Sequence, residues 1–260
     1  MSSNAMSILR EGTVIPAVPL ALNESRSFNE QRQRTLIRYY LESGVGGLAV
    51  AVHTTQFEIR NMEHDLFETL CSVVIDEIKS FERNSGKTIV KIGGVCGKIP
   101  QAVSEAKILK DLGYDAVLLS PGGLSNLSEN EMIERTKAIA SIIPVIGFYL
   151  QTAVGGRMLS SEYWKKIADI SNVVAIKCAP FNRYQTYDLV RGVAMSNRRE
   201  EVALYTGNDD TIIIDLLSSY SFNISGEKIT MRFVGGLLGH WAVWTKNVTA
   251  PMTTIPSPIL

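Results

Sequence analysis

A chain of 260 residues with 45% hydrophobic side chains is long enough for one sizeable core and too apolar for a disordered protein. Its 26 basic and 26 acidic residues cancel without a block of either sign, so a nucleic-acid partner, which needs a basic face, is not expected. Three cysteines without CxxC spacing read as reduced thiols of a cytoplasmic protein, and no run approaches the ~20 apolar residues of a membrane span.

In chain order, Met1 to Met6 (MSSNAM) reads as an expression remnant outside the fold, leaving residues 7–246 as one domain. Strands are expected at Thr13–Val18, Gly47–Val52, Thr88–Gly93, Ala116–Leu119, Val145–Tyr149, Val173–Lys177, Val202–Thr206 and Lys228–Val234. Most are continuous apolar runs, the pattern of parallel strands buried on both faces. Amphipathic segments separate them. Leu66, Leu70, Val73, Val74, Ile78 and Phe81 mark one helical face, Pro100 suits a first helical turn, Ser128 and Glu131 fit a capping box, and Gly44 and Gly113 read as helix stops. Eight such units without a long linker, and without GxGxxG after the first strand, predict an α/β fold, a (β/α)8 TIM barrel, rather than an open doubly wound sheet. Ser221–Glu227 breaks the pattern and predicts an irregular excursion or hairpin. The proline-threonine stretch 247–260 reads as a poorly ordered tail.

Catalytic groups of such barrels sit at the C-terminal strand ends. Those ends offer His53, Thr54, Thr55, Gln56 and Glu58 on the second strand, Lys91 and a Gly-Gly pair on the third, Ser120–Gly123 after the fourth and Tyr149 on the fifth. Lys177 closes the sixth, Gly207–Asp210 the seventh, and Gly235 and Gly236 the eighth. Lys177 closes an apolar run, where burial favours the neutral amine that carbonyl attack needs. A lysine snorkelling to the rim, or paired with Asp209 or Asp210, is the bland alternative. Lys91 reads as a structural ion pair near the barrel mouth. Tyr149 reads either as a packing residue or as a proton relay. His53, His64 and His240 are dispersed and form no metal-ligand spacing, with His240 expected to pack near Trp241.

Together these residues resemble the dihydrodipicolinate synthase and N-acetylneuraminate lyase family of class I aldolases, in collinear order over roughly residues 12–210. IPAVP at Ile15–Pro19 is similar to that family's T-A-x-x-T-P, HTTQFE at His53–Glu58 to G-T-T-G-E, and FYLQTAVGG at Phe148–Gly156 to Y-N-x-P-x-x-x-G. VVAIK at Val173–Lys177 is similar to V-x-G-I-K, and GNDD at Gly207–Asp210 to G-D-D. The resemblance implies a lyase or synthase in which Lys177 forms a Schiff base with pyruvate or a related 2-oxo acid. It makes Tyr149, 28 residues earlier, the proton shuttle, assigns substrate binding to Thr54, Thr55 and Gly207, supplies an aldehyde as second substrate, and needs no metal or cofactor.

The departures point away from a true dihydrodipicolinate synthase. SPGG at Ser120–Gly123 replaces a tyrosine pair, Val154 stands where an arginine holds the second carboxylate, Gln56 replaces a glycine, and Leu150 and Thr152 replace Asn and Pro. The family's closing helices are absent, so the homo-oligomer it implies is a dimer or a tetramer. Two other functions stay open. FVGGLLG at Phe233–Gly239 could open a phosphate-binding helix in an enzyme of phosphorylated sugars, or serve only close packing. The barrel could also bind a 2-oxo acid without turning it over.

Overall fold

The structure, a computed structural model, describes residues 1–252. It opens on helix α1 (Ser3–Glu11), followed by β1 (Val14–Pro16), α2 (Glu30–Glu42), β2 (Gly47–Val50), α3 (Phe67–Ser85), β3 (Val90–Val95), α4 (Ile99–Leu112), β4 (Ala116–Leu119), α5 (Glu129–Ala140), β5 (Val145–Leu150), α6 (Ser161–Ala168), β6 (Val173–Ala179), α7 (Arg183–Ala194), β7 (Ala203–Thr206) and α8 (Ile212–Leu217). An antiparallel hairpin, β8 (Tyr220–Ile224) and β9 (Glu227–Met231), precedes β10 (Gly235–Leu238) and α9 (Thr245–Met252). The eight parallel strands run β1-β10-β7-β6-β5-β4-β3-β2. The ring closes where Ala17 bridges Ala49 and the Val18 amide donates to the Ala49 carbonyl at 2.8 Å. This is the expected (β/α)8 barrel. Among the described residues no helix is long and apolar enough to cross a membrane.

Two apolar cores follow from strand alternation. Ile15, Ile92, Leu118, Ile146, Ala175, Tyr205 and Leu237 fill the barrel, while Val50, Val95, Val117, Ile176 and Leu204 point out to the helices. The local signals behave as chemistry dictates. Ser128 and Glu131 form the reciprocal capping box, Pro100 lies in the first turn of α4, and Gly113 ends that helix at φ 94°.

Three expectations are corrected. Residues 1–6 are not outside the fold: α1 closes the N-terminal mouth of the barrel, with Ala5 and Leu9 fully buried and the Tyr205 hydroxyl donating to the Leu9 carbonyl at 2.8 Å. The eighth barrel strand is Gly235–Leu238, not Lys228–Val234. Most of the latter run is β9, in the hairpin that the irregular segment 221–227 helps to build. The segment 247–252 is helical in α9, where the Thr249 hydroxyl donates to the Ser43 carbonyl at 2.6 Å. The remainder of that expected tail, 253–260, lies outside the described residues.

Candidate active site

A cleft of about 390 Å³ opens at the C-terminal mouth of the barrel. His53, Thr54 and Gln56 line it after β2, and Phe148, Leu150, Gln151 and Val154 along and after β5. Lys177, Ala179 and Phe181 come from β6 and its loop, Gly207 and Asp209 from the end of β7, and Gly239 from the end of β10.

Lys177 reaches this cleft through a local irregularity. Val145 pairs with Val173 but Ile146 pairs with Ala175, so β6 carries one extra residue, Val174. A bulge of this kind shifts the alternation by one; Ala175, Lys177 and Ala179 thereby face the barrel axis, and Ile176 and Cys178 the helices. The lysine stem lies against Gly207, where a Cβ would stand 2.5 Å from Lys177 Cε. Gly207 is therefore the space that lets the lysine pass, a different contribution from the substrate contact that the resemblance implies. Burial pulls the Lys177 amine from an ordinary 10.5 down to about 8, partly opposed by the nearby Asp209 carboxylate. Its Nζ stands over the Phe148 ring, 4.5 Å from the centroid.

The structure does not bring Tyr149 to Lys177. In the β5–β6 register Phe148 pairs with Lys177 and Tyr149 with Cys178, so the phenol shares the outward face of the thiol. Tyr149 is fully buried against Trp164, ring centroids 5.1 Å apart, and its hydroxyl oxygen accepts from the Leu159 amide at 3.2 Å. Burial also raises its phenol. The side chain facing the lysine is a phenylalanine without a proton to give.

The threonine pair divides similarly. Thr54 lines the cleft beside Gly239, where a Cβ would come 2.6 Å from its hydroxyl oxygen, and among the described residues it makes no side-chain hydrogen bond. Thr55 is fully buried and donates its one hydroxyl proton to the Val18 carbonyl at 2.6 Å. It fixes the β1–β2 corner and has no proton left for a substrate carboxylate.

Lys91 lies near the opposite end of its strand from the cleft, held by Glu82 at 2.8 Å and Asp115 at 3.2 Å. It is the structural ion pair expected, but away from the mouth. Arg157 is turned to the carbonyls of Ser125 and Leu127, outside the cleft. No phosphate-binding helix follows the glycines of β10: the next element is the three-residue 3-10 turn His240–Ala242, and a side chain at Gly236 would collide with the Trp241 ring. The close-packing reading of those glycines holds. His240 is exposed, and its charge acts on Asp209.

Sequence reasoning missed the knot that holds the β6 and β7 loops. Asp215 is fully buried and accepts from Thr206 Oγ1 at 2.7 Å, Asn208 Nδ2 at 2.9 Å, Arg183 at 2.9 Å and Tyr220 at 3.3 Å. Asn208 in turn accepts from the Phe181 amide at 2.9 Å. Two cleft-lining residues hold strained positive φ, 83° at Gln56 in the loop after β2 and 52° at Phe181 in the loop after β6.

The model of the dihydrodipicolinate synthetase family matches residues 11–226. The chain belongs to this family. A 4-hydroxy-tetrahydrodipicolinate synthase of Desulforudis audaxviator is 25% identical over 209 residues, covering 80% of this chain and 66% of the relative. A second, of Oleidesulfovibrio alaskensis, is 27% identical over 164 residues, 62% of this chain and 53% of the relative, so the match spans about half of that protein. Among solved structures, YagE of Escherichia coli K12, a prophage protein of the dihydrodipicolinic acid synthase family solved in complex with pyruvate, superposes with a TM-score of 0.74 at 17% identity, covering 94% of this chain and 74% of that one. An N-acetylneuraminate lyase of Fusobacterium nucleatum gives 0.71 at 16% identity, covering 95% and 77%. At these identities the superpositions speak for the fold.

Proposed function

We propose that the chain is a Schiff-base lyase or aldolase in which Lys177 condenses with the keto carbon of pyruvate or a related 2-oxo acid. The observation that carries the reading is the Lys177 amine itself, desolvated to about 8 inside the cleft, so that a useful fraction is neutral near neutral pH. Family membership and the likeness to a barrel solved with pyruvate support the same chemistry. The imine is the electron sink, so the reaction needs no metal or organic cofactor. Thr54, with its unengaged hydroxyl, is the residue best placed to hold the 2-oxo acid carboxylate.

Dihydrodipicolinate synthesis itself is not the reading we favour. Among the described residues the cleft lining holds neither an arginine for a second carboxylate nor a phenol, and its apolar part is Phe148, Leu150, Val154 and Phe181. An uncharged aldehyde suits that lining better than an acidic one. We place the enzyme in the cytoplasm as a homo-oligomer, a state supported by the exposed Ile213, Ile214 and Leu217 of α8; sedimentation as a monomer at micromolar concentration would remove that part.

The test is reduction with borohydride in the presence of pyruvate, read by intact mass. The wild type gains one reduced adduct and Lys177→Ala gains none. No adduct on the wild type, with pyruvate still bound, favours the second reading, a 2-oxo acid binder without catalysis, which the missing phenol keeps open.

A further inference from the structure

A Schiff-base site without a phenol at the lysine still has to move protons. Forming the imine takes one from the amine nitrogen and delivers protons to the departing oxygen. The ionisable side chains lining the cleft are His53, Lys177 and Asp209. Asp209 comes two residues after Gly207, the glycine against which the Lys177 stem packs. The backbone between them is pinned by Asn208, which is 2% exposed and bonded to Asp215, Thr186 and the Phe181 amide at 2.9, 3.2 and 2.9 Å. Among the described residues, the Asp209 carboxylate makes no hydrogen bond or ion pair, although its neighbour Asn208 is fully engaged. Its carboxylate is the charge acting on Lys177, and the charges of His240 and Asp210 act on it in turn. Burial raises its carboxyl above the ordinary range, against the pull of Lys177 and His240.

We propose that Asp209 is the proton-transfer residue of this site, standing in for the phenol that Phe148 displaces from the lysine. The inference rests on the Schiff-base reading. The neutral Lys177 amine forms the C–N bond while the carbonyl π pair goes to oxygen. Asp209 carboxylate takes one proton from the now cationic nitrogen and gives it to that oxygen, leaving a neutral carbinolamine. Asp209, reprotonated from solvent, then protonates the hydroxyl, which leaves as water as the nitrogen lone pair closes the protonated imine. The carboxylate is regenerated, and the net change is amine plus ketone plus one solvent proton to protonated imine plus water.

The experiment is rapid-quench reduction of full-length enzyme with pyruvate across pH 6–9. Asp209→Asn is expected to slow imine formation roughly a hundredfold or more at every pH, the usual loss for an acid–base group, while the adduct after long incubation still reaches the wild-type level. Asp209→Glu recovers part of the rate, and Asp210→Asn leaves it unchanged. A carboxylate that only holds the amine's charge gives the opposite sign: its removal lets the amine lose its proton more easily, so Asp209→Asn would form the imine faster at neutral pH. A faster or unchanged rate overturns the proposal, as does a hundredfold loss in His53→Gln with Asp209→Asn unaffected. Absence of any adduct on the wild type instead sinks the Schiff-base reading beneath it.

Discussion

Lowering the Lys177 amine from 10.5 to about 8 fixes how imine formation must depend on pH. With that value the neutral fraction is about 1% at pH 6, about 9% at pH 7, half at pH 8 and about 90% at pH 9. An unburied lysine at 10.5 would be only about 0.03% neutral at pH 7, roughly 300-fold less. The initial rate with saturating pyruvate, quenched at intervals into cyanoborohydride and counted by intact mass, should climb nearly tenfold between pH 6 and 7, bend near 8 and flatten above 9. A rate still climbing nearly tenfold between pH 8 and 9, with its bend only near 10.5, would mean that the amine is solvated and charged like any surface lysine, and the burial argument would be wrong. A flat profile from 6 to 9 would remove Lys177 deprotonation from the step altogether.

The same burial makes Lys177 a cost to the fold. Its folded pKa lies below its unfolded one, so between about 8 and 10.5 the unfolded chain holds more protons and stability rises with pH. Lys177→Met should therefore gain on the order of 3 kcal/mol in denaturant melts at pH 7, and the gain should vanish above pH 10.5; an equal gain at both pH values would refute the electrostatic cause. Tyr149→Phe should leave imine formation within twofold of wild type while losing about 1 kcal/mol of stability, because the buried Leu159 amide loses its acceptor; a hundredfold slower imine would restore the phenol to the mechanism. Asp215→Ala, which strips Thr206, Asn208 and Arg183 of a shared buried partner, should cost about 3–5 kcal/mol, read as a lowered midpoint in urea. Gln56→Gly should gain about 1 kcal/mol by relieving φ 83°, with thermal melting as the check.

Much of the barrel was legible because parallel buried strands leave long apolar runs, and seven of the eight expected barrel strands overlap the observed ones. The eighth was misplaced for a physical reason. Lys228–Val234 alternates polar and apolar residues, with Ile229, Met231 and Phe233 on one face, which is the mark of a strand wet on one side; the hairpin strand β9 is such a strand. The real β10 is glycine-rich, and its glycines answer to close approach by Thr13 and Trp241 rather than to any strand preference.

Within the site, Lys177 could be found because a charged residue ending an apolar run is conspicuous. The facing of Tyr149 could not, since VIGFYL is apolar at every position and gives no hint of which residues face the axis. The bulge at Val174, which sets the facing of Lys177 itself, leaves no mark in the sequence either. Thr55 fell to the same cause: adjacent threonines in a tight turn point apart, one into the cleft and one into the Val18 carbonyl. The buried Asp215 knot joins residues from Arg183 to Tyr220 that only the folded β6 and β7 loops bring together.

The most direct measurement is a crystal structure of the protein soaked with pyruvate near pH 8. Continuous density from Lys177 Nζ to the keto carbon, with the carboxylate at Thr54 and the Phe148 ring beneath the new bond, is the predicted result. Pyruvate lying in the cleft unbonded to Lys177, or joined to some other amine, would contradict it.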